Sequence, residues 1–181
     1  VEDGTRMARK VNKGLLPAPD EDVLARRYEM ISSTLEDAGF EWYEVSNWSL
    51  PGGECEHNRI YWVDGNWWGA GPGAHSHLGD ERFFNVKHPN RYIQTLGNGE
   101  LPIKDSETLT GAERHMEKVM LGLRLREGIP EAWLDAHAAP ALEDFIDRGL
   151  LERAGQRVRV TKPGRLLADG IVSDLLIAEE S

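Results

Sequence analysis

His57-Asn58-Arg59-Ile60-Tyr61-Trp62 and, a few residues later, Gly69-Ala70-Gly71-Pro72-Gly73-Ala74-His75-Ser76 hold the side chains best suited to binding a ligand. An imidazole can donate to a metal ion, large aromatic rings can cover a flat molecule, and a glycine loop lets that molecule approach the backbone. All of them fall within about 20 residues, the spacing of a single site.

Each residue also has an ordinary use. A loop histidine can simply bond its neighbours, Tyr61 and Trp62 suit a strand core as Trp67 and Trp68 do, and Gly-Pro-Gly is common turn chemistry. The glycine loop lacks the strand-GxGxxG-helix setting of a dinucleotide site, and no Walker sequence is present. Cys55, His57, His75 and His77 form a rival set. Cys-x-His and His-x-His put each pair on one face of an extended segment and offer ligands suited to zinc, though not at the spacing of a standard zinc module.

The elements that must position these residues read as α/β. After the rigid Leu15-Leu16-Pro17-Ala18-Pro19, Asp20 is an N-cap with Glu21 and Asp22 in the first turn of a helix. Leu24, Tyr28, Ile31, Leu35 and Ala38 make one apolar stripe, and Gly39 supplies the left-handed stop. Phe40 to Val45 follows as a buried strand, and a helix leading straight into a strand predicts parallel pairing, as in a barrel or an open sheet. Beyond a loop from Ser46 to Glu56, Arg59 to Val63 and Asn66 to Ala70 flank Asp64-Gly65 as a hairpin, which puts the hexapeptide at a strand end. A second hairpin turns at Gly79-Asp80 before Arg82 to Val86, and Pro89 to Leu96 is a short helix. Gly97-Asn98-Gly99 and Pro102 mark a domain boundary near residue 105.

Beyond it, Thr110 and Glu113 form a capping box, and Met116, Val119, Met120 and Leu123 are the apolar face of the helix it opens. Pro130 to Ala138 and Pro140 to Arg148 read as short helices, the second closed by Gly149. Leu150 to Arg153 and Arg157 to Val160 make a hairpin, and Thr161 caps a last helix with Pro163 in its first turn, running to about Ile177. Helices, a hairpin and a helix are the order of a winged helix. Arg153, Arg157, Arg159, Lys162 and Arg165 cluster around the wing, yet residues 106–181 hold 10 basic against 14 acidic residues. Those arginines are therefore expected to dock on the rest of the protein, not on DNA.

The whole chain has 181 residues, 31 acidic against 21 basic, and a formal charge of −10. Such a field attracts neither nucleic acid nor an anionic membrane, which leaves small molecules and proteins as partners. No apolar run approaches the roughly 20 residues of a membrane span, and no signal sequence is visible, so a cytoplasmic protein is expected. A single cysteine, Cys55, excludes an internal disulfide and any cluster held by three or four thiolates of this chain. Val1-Glu2-Asp3-Gly4-Thr5 lacks a methionine and reads as a strand end passing into a loop, the beginning of a fragment of something longer.

Several blocks in order resemble one family, the radical S-adenosylmethionine proteins related to oxygen-independent coproporphyrinogen III oxidase, and within it the haem chaperones of HemW type. The resemblance covers essentially the whole chain. Ala38 to Pro51 is similar to the family's late barrel strand and the loop after it, and His57-Asn58-Arg59-Ile60-Tyr61-Trp62 matches the HNxxYW pattern of the chaperones, which true oxidases lack. Gly69 to Ser76 resembles the next strand and its glycine turn, Leu121 to Leu125 the interdomain helix, and Val160 to Leu167 the C-terminal signature.

The resemblance implies that residues 1–105 are the last portion of a partial radical-SAM β/α barrel and that residues 106–181 are a winged-helix-like C-terminal domain. It implies a parent protein that binds haem and hands it to an acceptor haemoprotein, using S-adenosylmethionine and a [4Fe-4S] cluster. The family's CxxxCxxC motif would lie in an upstream barrel segment, and Cys55 is not part of it, so this fragment alone neither binds the cluster nor makes a radical. His57 is then the candidate ligand to haem iron, with Asn58 bonding the ring or its loop and Tyr61 and Trp62 packing on the macrocycle or anchoring the strand. Ser49 falls where the oxidases contact S-adenosylmethionine, and Gly69, Gly71 and Gly73 would line the barrel mouth. A barrel fragment should also expose a strand edge and apolar helix faces and self-associate. The alternatives are radical decarboxylation of coproporphyrinogen III, which HNRIYW disfavours, and a non-catalytic winged-helix or zinc-binding module.

Overall fold

The computed structural model describes residue 1 and residues 3–180. The strand end expected at residues 1–5 includes Glu2, which lies outside the described residues. Thr5 instead caps α1 (Arg6–Asn12), its hydroxyl accepting from the Ala8 amide.

Helix α2 (Glu21–Asp37) starts as expected, with the Asp20 carboxylate accepting from the Val23 amide at 3.0 Å, and stops at Gly39 in the left-handed region. Its apolar stripe is less covered than its periodicity predicts, for Leu24 and Ile31 remain about half exposed. Strand β1 (Glu41–Glu44) forms an antiparallel hairpin with β2 (Asn47–Ser49), where parallel pairing was expected. The pairing is local because residues 45–46 are a turn short enough to fold the chain back at once.

Residues 56–62 depart most from expectation. They form helix α3 (Glu56–Trp62), not a strand. Asp64 sits at φ 55°, and the Gly65 amide donates to the Ile60 carbonyl at 2.9 Å. That is a Schellman-type helix end, which uses the same Asp-Gly chemistry as a tight hairpin. Within Asn66 to Ala70, Trp67 makes one bridge, to His77.

Strands β3 (His75–Leu78) and β4 (Glu81–Asn85) form the expected hairpin around Gly79-Asp80, and helix α4 (Pro89–Gly97) follows. Strand β5 (Ile103–Thr108) joins β4 antiparallel, giving a sheet of order β3-β4-β5, and all of its residues are exposed.

The main core belongs to the second half. Helix α5 (Gly111–Gly122) opens with the Thr110–Glu113 capping box. Strands β6 (Ile129–Pro130), β7 (Leu151–Ala154) and β8 (Arg157–Val160) form an antiparallel sheet of order β6-β8-β7. Two 3-10 turns, Glu131–Trp133 and Ala136–Ala138, replace the first helix expected beyond Pro130, and α6 (Ala139–Asp147) is the second. A further 3-10 turn, Pro163–Leu167, precedes α7 (Ala168–Glu179). Val119, Leu123, Ile129, Phe145, Val158, Ile171 and Leu175 pack together here, and Trp42 of β1 joins the same cluster.

Candidate functional site

Helix α3 is what brings His57 and Tyr61 together. A helix puts residues four apart on one face, whereas a strand would put their neighbours in between. The Tyr61 hydroxyl and His57 Nε2 lie 3.1 Å apart, and the two rings meet edge to face at 5.3 Å between centroids. Both residues are exposed. Tyr61 continues onto Trp67 at 4.8 Å, and Trp67 onto His77 at 4.9 Å, again edge to face. Trp67 in turn forms a wall of a pocket of about 420 Å³ over the β3-β4-β5 sheet, together with His75, Phe84, Arg82 and Asp105. His75 stacks on Phe84 at 5.2 Å.

Asn58 and Trp62 are half-buried on α3, away from the exposed positions of His57 and Tyr61, and the buried Trp62 Nε1 makes no hydrogen bond. Ser49 is buried on β2 and its hydroxyl also makes none. The glycine loop is tied to the sheet. The Gly69 amide donates to Ser76 Oγ at 2.9 Å, the Gly71 amide to Tyr92 Oη at 3.0 Å, and the Gly73 amide to the Val86 carbonyl at 3.1 Å. The Asn85 side-chain amide donates to the Gly69 and Gly71 carbonyls. A Cβ at Gly69 would collide with the His75 carbonyl, and Gly71 takes φ 108°, so both glycines are required by the backbone path.

The four residues of the rival zinc set have separate surroundings. Cys55 is exposed before α3, His57 contacts Tyr61, His75 stacks on Phe84, and His77 is fully buried against Trp67. Among the described residues no group of three or more His, Cys, Asp or Glu is placed to hold a metal ion.

His77 instead belongs to a buried polar cluster that its sequence position gave no reason to expect. Its Nδ1 lies 3.5 Å from Asp64 Oδ1, and its Nε2 lies 3.2 Å from Arg114 Nη1. Arg114 Nη2 lies 2.8 Å from Asp64 Oδ2, a close charge contact without the alignment of a hydrogen bond. Since Arg114 can only donate, His77 Nε2 is the acceptor and Nδ1 carries the proton toward Asp64. The side chain of Asp64 is 3% exposed and that of His77 0%. The signal for Asp64 was its Asp-Gly pair, which also fits an ordinary turn, and Arg114 carries no sequence signal at all.

Further ion pairs hold the ends of α3 to the second half. Glu54 receives Arg126 Nη2 at 2.9 Å, and Arg59 Nη1 donates to Glu127 Oε1 at 3.1 Å. A backbone N–H bond, aided by Arg126, holds the Glu54 carboxyl below the usual carboxylate range.

Residues 109–167 match the HemN C-terminal domain. Over 176 residues, 97% of this chain and 45% of the relative, the sequence is 52% identical to the heme chaperone HemW of Mycobacterium tuberculosis. Over nearly its whole length the chain is thus similar to heme chaperones, and its second half to the HemN C-terminal domain. The heme chaperone HemW of Bacillus subtilis is 30% identical over 97% of this chain and 48% of the relative, so the chain spans about half the length of the curated relatives it matches. A solved structure of the coproporphyrinogen III oxidase HemN from Escherichia coli, a radical SAM enzyme, covers 81% of this chain and 39% of its own, with a TM-score of 0.59 and 19% identity. That likeness concerns the fold alone. Within the segment matched to the HemN C-terminal domain lie Arg114, Arg126, Glu127 and Arg165, so the contacts to α3 and to Trp42 come from the family's own domain.

Proposed function

We propose that the protein carrying this chain binds haem and passes it to an acceptor haemoprotein, with His57 as the imidazole that meets the iron. The observation that carries this reading is the exposed His57 imidazole at the head of an aromatic chain, through Tyr61, that ends at the Trp67 wall of the 420 Å³ pocket. Neutral imidazole is the usual protein donor to haem iron, and aromatic walls suit a flat macrocycle. The heme chaperones among the relatives support the cargo.

In this reading Tyr61 packs near the macrocycle, Trp62 anchors α3 from its half-buried side, Asn58 steadies the loop before it, and Gly69, Gly71 and Gly73 keep the approach low. His57 Nε2 is engaged by the Tyr61 hydroxyl, so ligation requires that contact to open or the ring to present Nδ1. Residues 1–105 are the last portion of a radical-SAM barrel and residues 106–181 a winged-helix-like domain, a reading supported by the β6-β8-β7 sheet with α5, α6 and α7 around it. S-adenosylmethionine would supply radical or regulatory chemistry in the longer protein, and Ser49, whose buried hydroxyl makes no hydrogen bond, is the residue of this chain assigned to it. The residues of this chain do not fit a [4Fe-4S] cluster, because Cys55 is its single cysteine. No described helix is long and apolar enough to cross a membrane, and a cytoplasmic location is part of the proposal.

Haemin titration into the chain and its His57→Ala variant tests the assignment. Loss or displacement of the Soret band in the variant is expected, and an unchanged band and stoichiometry would remove His57. Turnover of coproporphyrinogen III by the cluster-reconstituted longer protein would overturn the chaperone reading.

A further inference from the structure

We propose that Arg114 is a positioning residue for the candidate haem site, acting through Asp64 and His77 to fix where the His57–Tyr61 face of α3 stands. The inference rests on the haem reading for its function, but its geometry is independent of that reading.

Arg114 enters from α5 and reaches the residues that end α3 and anchor β3. One guanidinium contacts Asp64, His77 and Asp80 and donates to the Gly79 carbonyl. The lysine ammonium, a point charge, would not span these partners as a planar fork does. Asp64 is the buried carboxylate of the group, and Arg114 is the cation in contact with it. Removing that cation would leave a carboxylate in the interior, a state that a protein relieves by moving the group toward water.

Asp64 is poorly free to stay behind. It stands in the left-handed region, at φ 55°, which aspartate adopts more readily than most non-glycine residues but still at a cost relative to glycine. It is also the residue on which the end of α3 turns, with the Gly65 amide closing the helix on Ile60. A displaced Asp64 therefore unwinds the last turn of α3, which contains Tyr61.

The second route runs through rings. His77, fully buried, has Nε2 beside Arg114 and Nδ1 3.5 Å from Asp64, and its ring meets Trp67 edge to face; Trp67 meets Tyr61, which meets His57. Each step is a packed contact, so a shift of His77 has no slack to absorb it before Tyr61. Two separate paths thus join Arg114, inside the segment matched to the HemN C-terminal domain, to the imidazole on α3. The C-terminal domain would in this way set the readiness of the site.

The test compares Arg114→Met, Arg114→Lys and Glu117→Gln in the chain. Glu117 links α5 to β4 through Arg82 and lies on neither path nor in the pocket, so its variant reports loss of α5 docking alone. Arg114→Met should weaken haemin binding roughly 2- to 30-fold and displace the His57 and Tyr61 ring signals in NMR spectra of the ligand-free chain. Arg114→Lys should fall between it and the unaltered chain, and Glu117→Gln should leave those ring signals in place. If Arg114→Met does not fold, Arg114→Lys is read in its stead. Unmoved His57 and Tyr61 signals in a folded Arg114 variant would overturn the inference. So would an equal displacement in Glu117→Gln. Should His57→Ala leave haemin binding unchanged, the haem reading fails, and the ring signals still decide the positioning role.

Discussion

The Arg165 guanidinium lies over the Trp42 ring, 4.1 Å from its centroid, and joins the turn after β8 to β1. Burial raises the Tyr28 hydroxyl above its ordinary value against the opposing pull of Arg165, and Lys162 donates to Glu36 of α2 at 2.5 Å. Of the five basic residues expected to dock on the rest of the protein, Lys162 and Arg165 do so, whereas Arg153 and Arg159 pair with carboxylates of their own half and Arg157 donates to the Glu127 and Gly128 carbonyls.

Arg165→Ala should therefore lower stability by about 1–2 kcal/mol, from the lost cation–π contact and the stem packing. Arg165→Lys should recover part of it. Urea denaturation midpoints measure both, and equal losses for the two variants would show that only the planar guanidinium serves there, since the charge and stem of lysine would then recover nothing.

Releasing His57 should help a ligand. A single hydrogen bond contributes about 0.5–1.5 kcal/mol net, so Tyr61→Phe should tighten haemin binding about 2- to 10-fold. Titration under matched salt and pH would detect this, and weaker binding in Tyr61→Phe would mean that the hydroxyl serves the bound state.

Two glycines should respond in opposite directions. Gly69→Ala forces a methyl against the His75 carbonyl and should cost about 1–3 kcal/mol. Gly170, within α7, has nothing within 4 Å of a built Cβ, so Gly170→Ala should stabilise by about 1 kcal/mol. Thermal midpoints of the two variants should move apart.

Acid should unfold the chain through its paired carboxylates. Lys162 donating to Glu36, the Thr110 amide donating to Glu113, and Arg153 donating to Glu143 each hold a carboxyl below its usual range. A lowered folded value means stability that is complete above about pH 4.3, the ordinary glutamate value, and lost as pH falls through the lowered ones. Glu36→Gln should flatten part of that acid limb in a plot of thermal midpoint against pH. An unaltered limb would assign acid sensitivity to other groups.

Local chemistry made much of the fold legible. The N-cap Asp20, the Thr110–Glu113 box and the turns at Gly79-Asp80 and Gly155 act within a few residues, and each marks the element it was expected to mark. Asp64-Gly65 misled because a left-handed residue followed by glycine ends a helix as readily as it joins strands. With the helix missed, the four-residue relation of His57 to Tyr61 was invisible. The Asp64–His77–Arg114 cluster was illegible for another reason, since its members are 13 and 37 apart in the chain and meet only through tertiary packing.

Helix α3 has seven residues, well short of the length at which a helix persists unaided in water. Its neighbours Glu54 and Asp64 and its own Arg59 are each gripped by a residue beyond position 109. A synthetic peptide bearing HNRIYW would therefore be a poor mimic of the site. The hexapeptide has its shape on loan from a part of the chain that begins some fifty residues later.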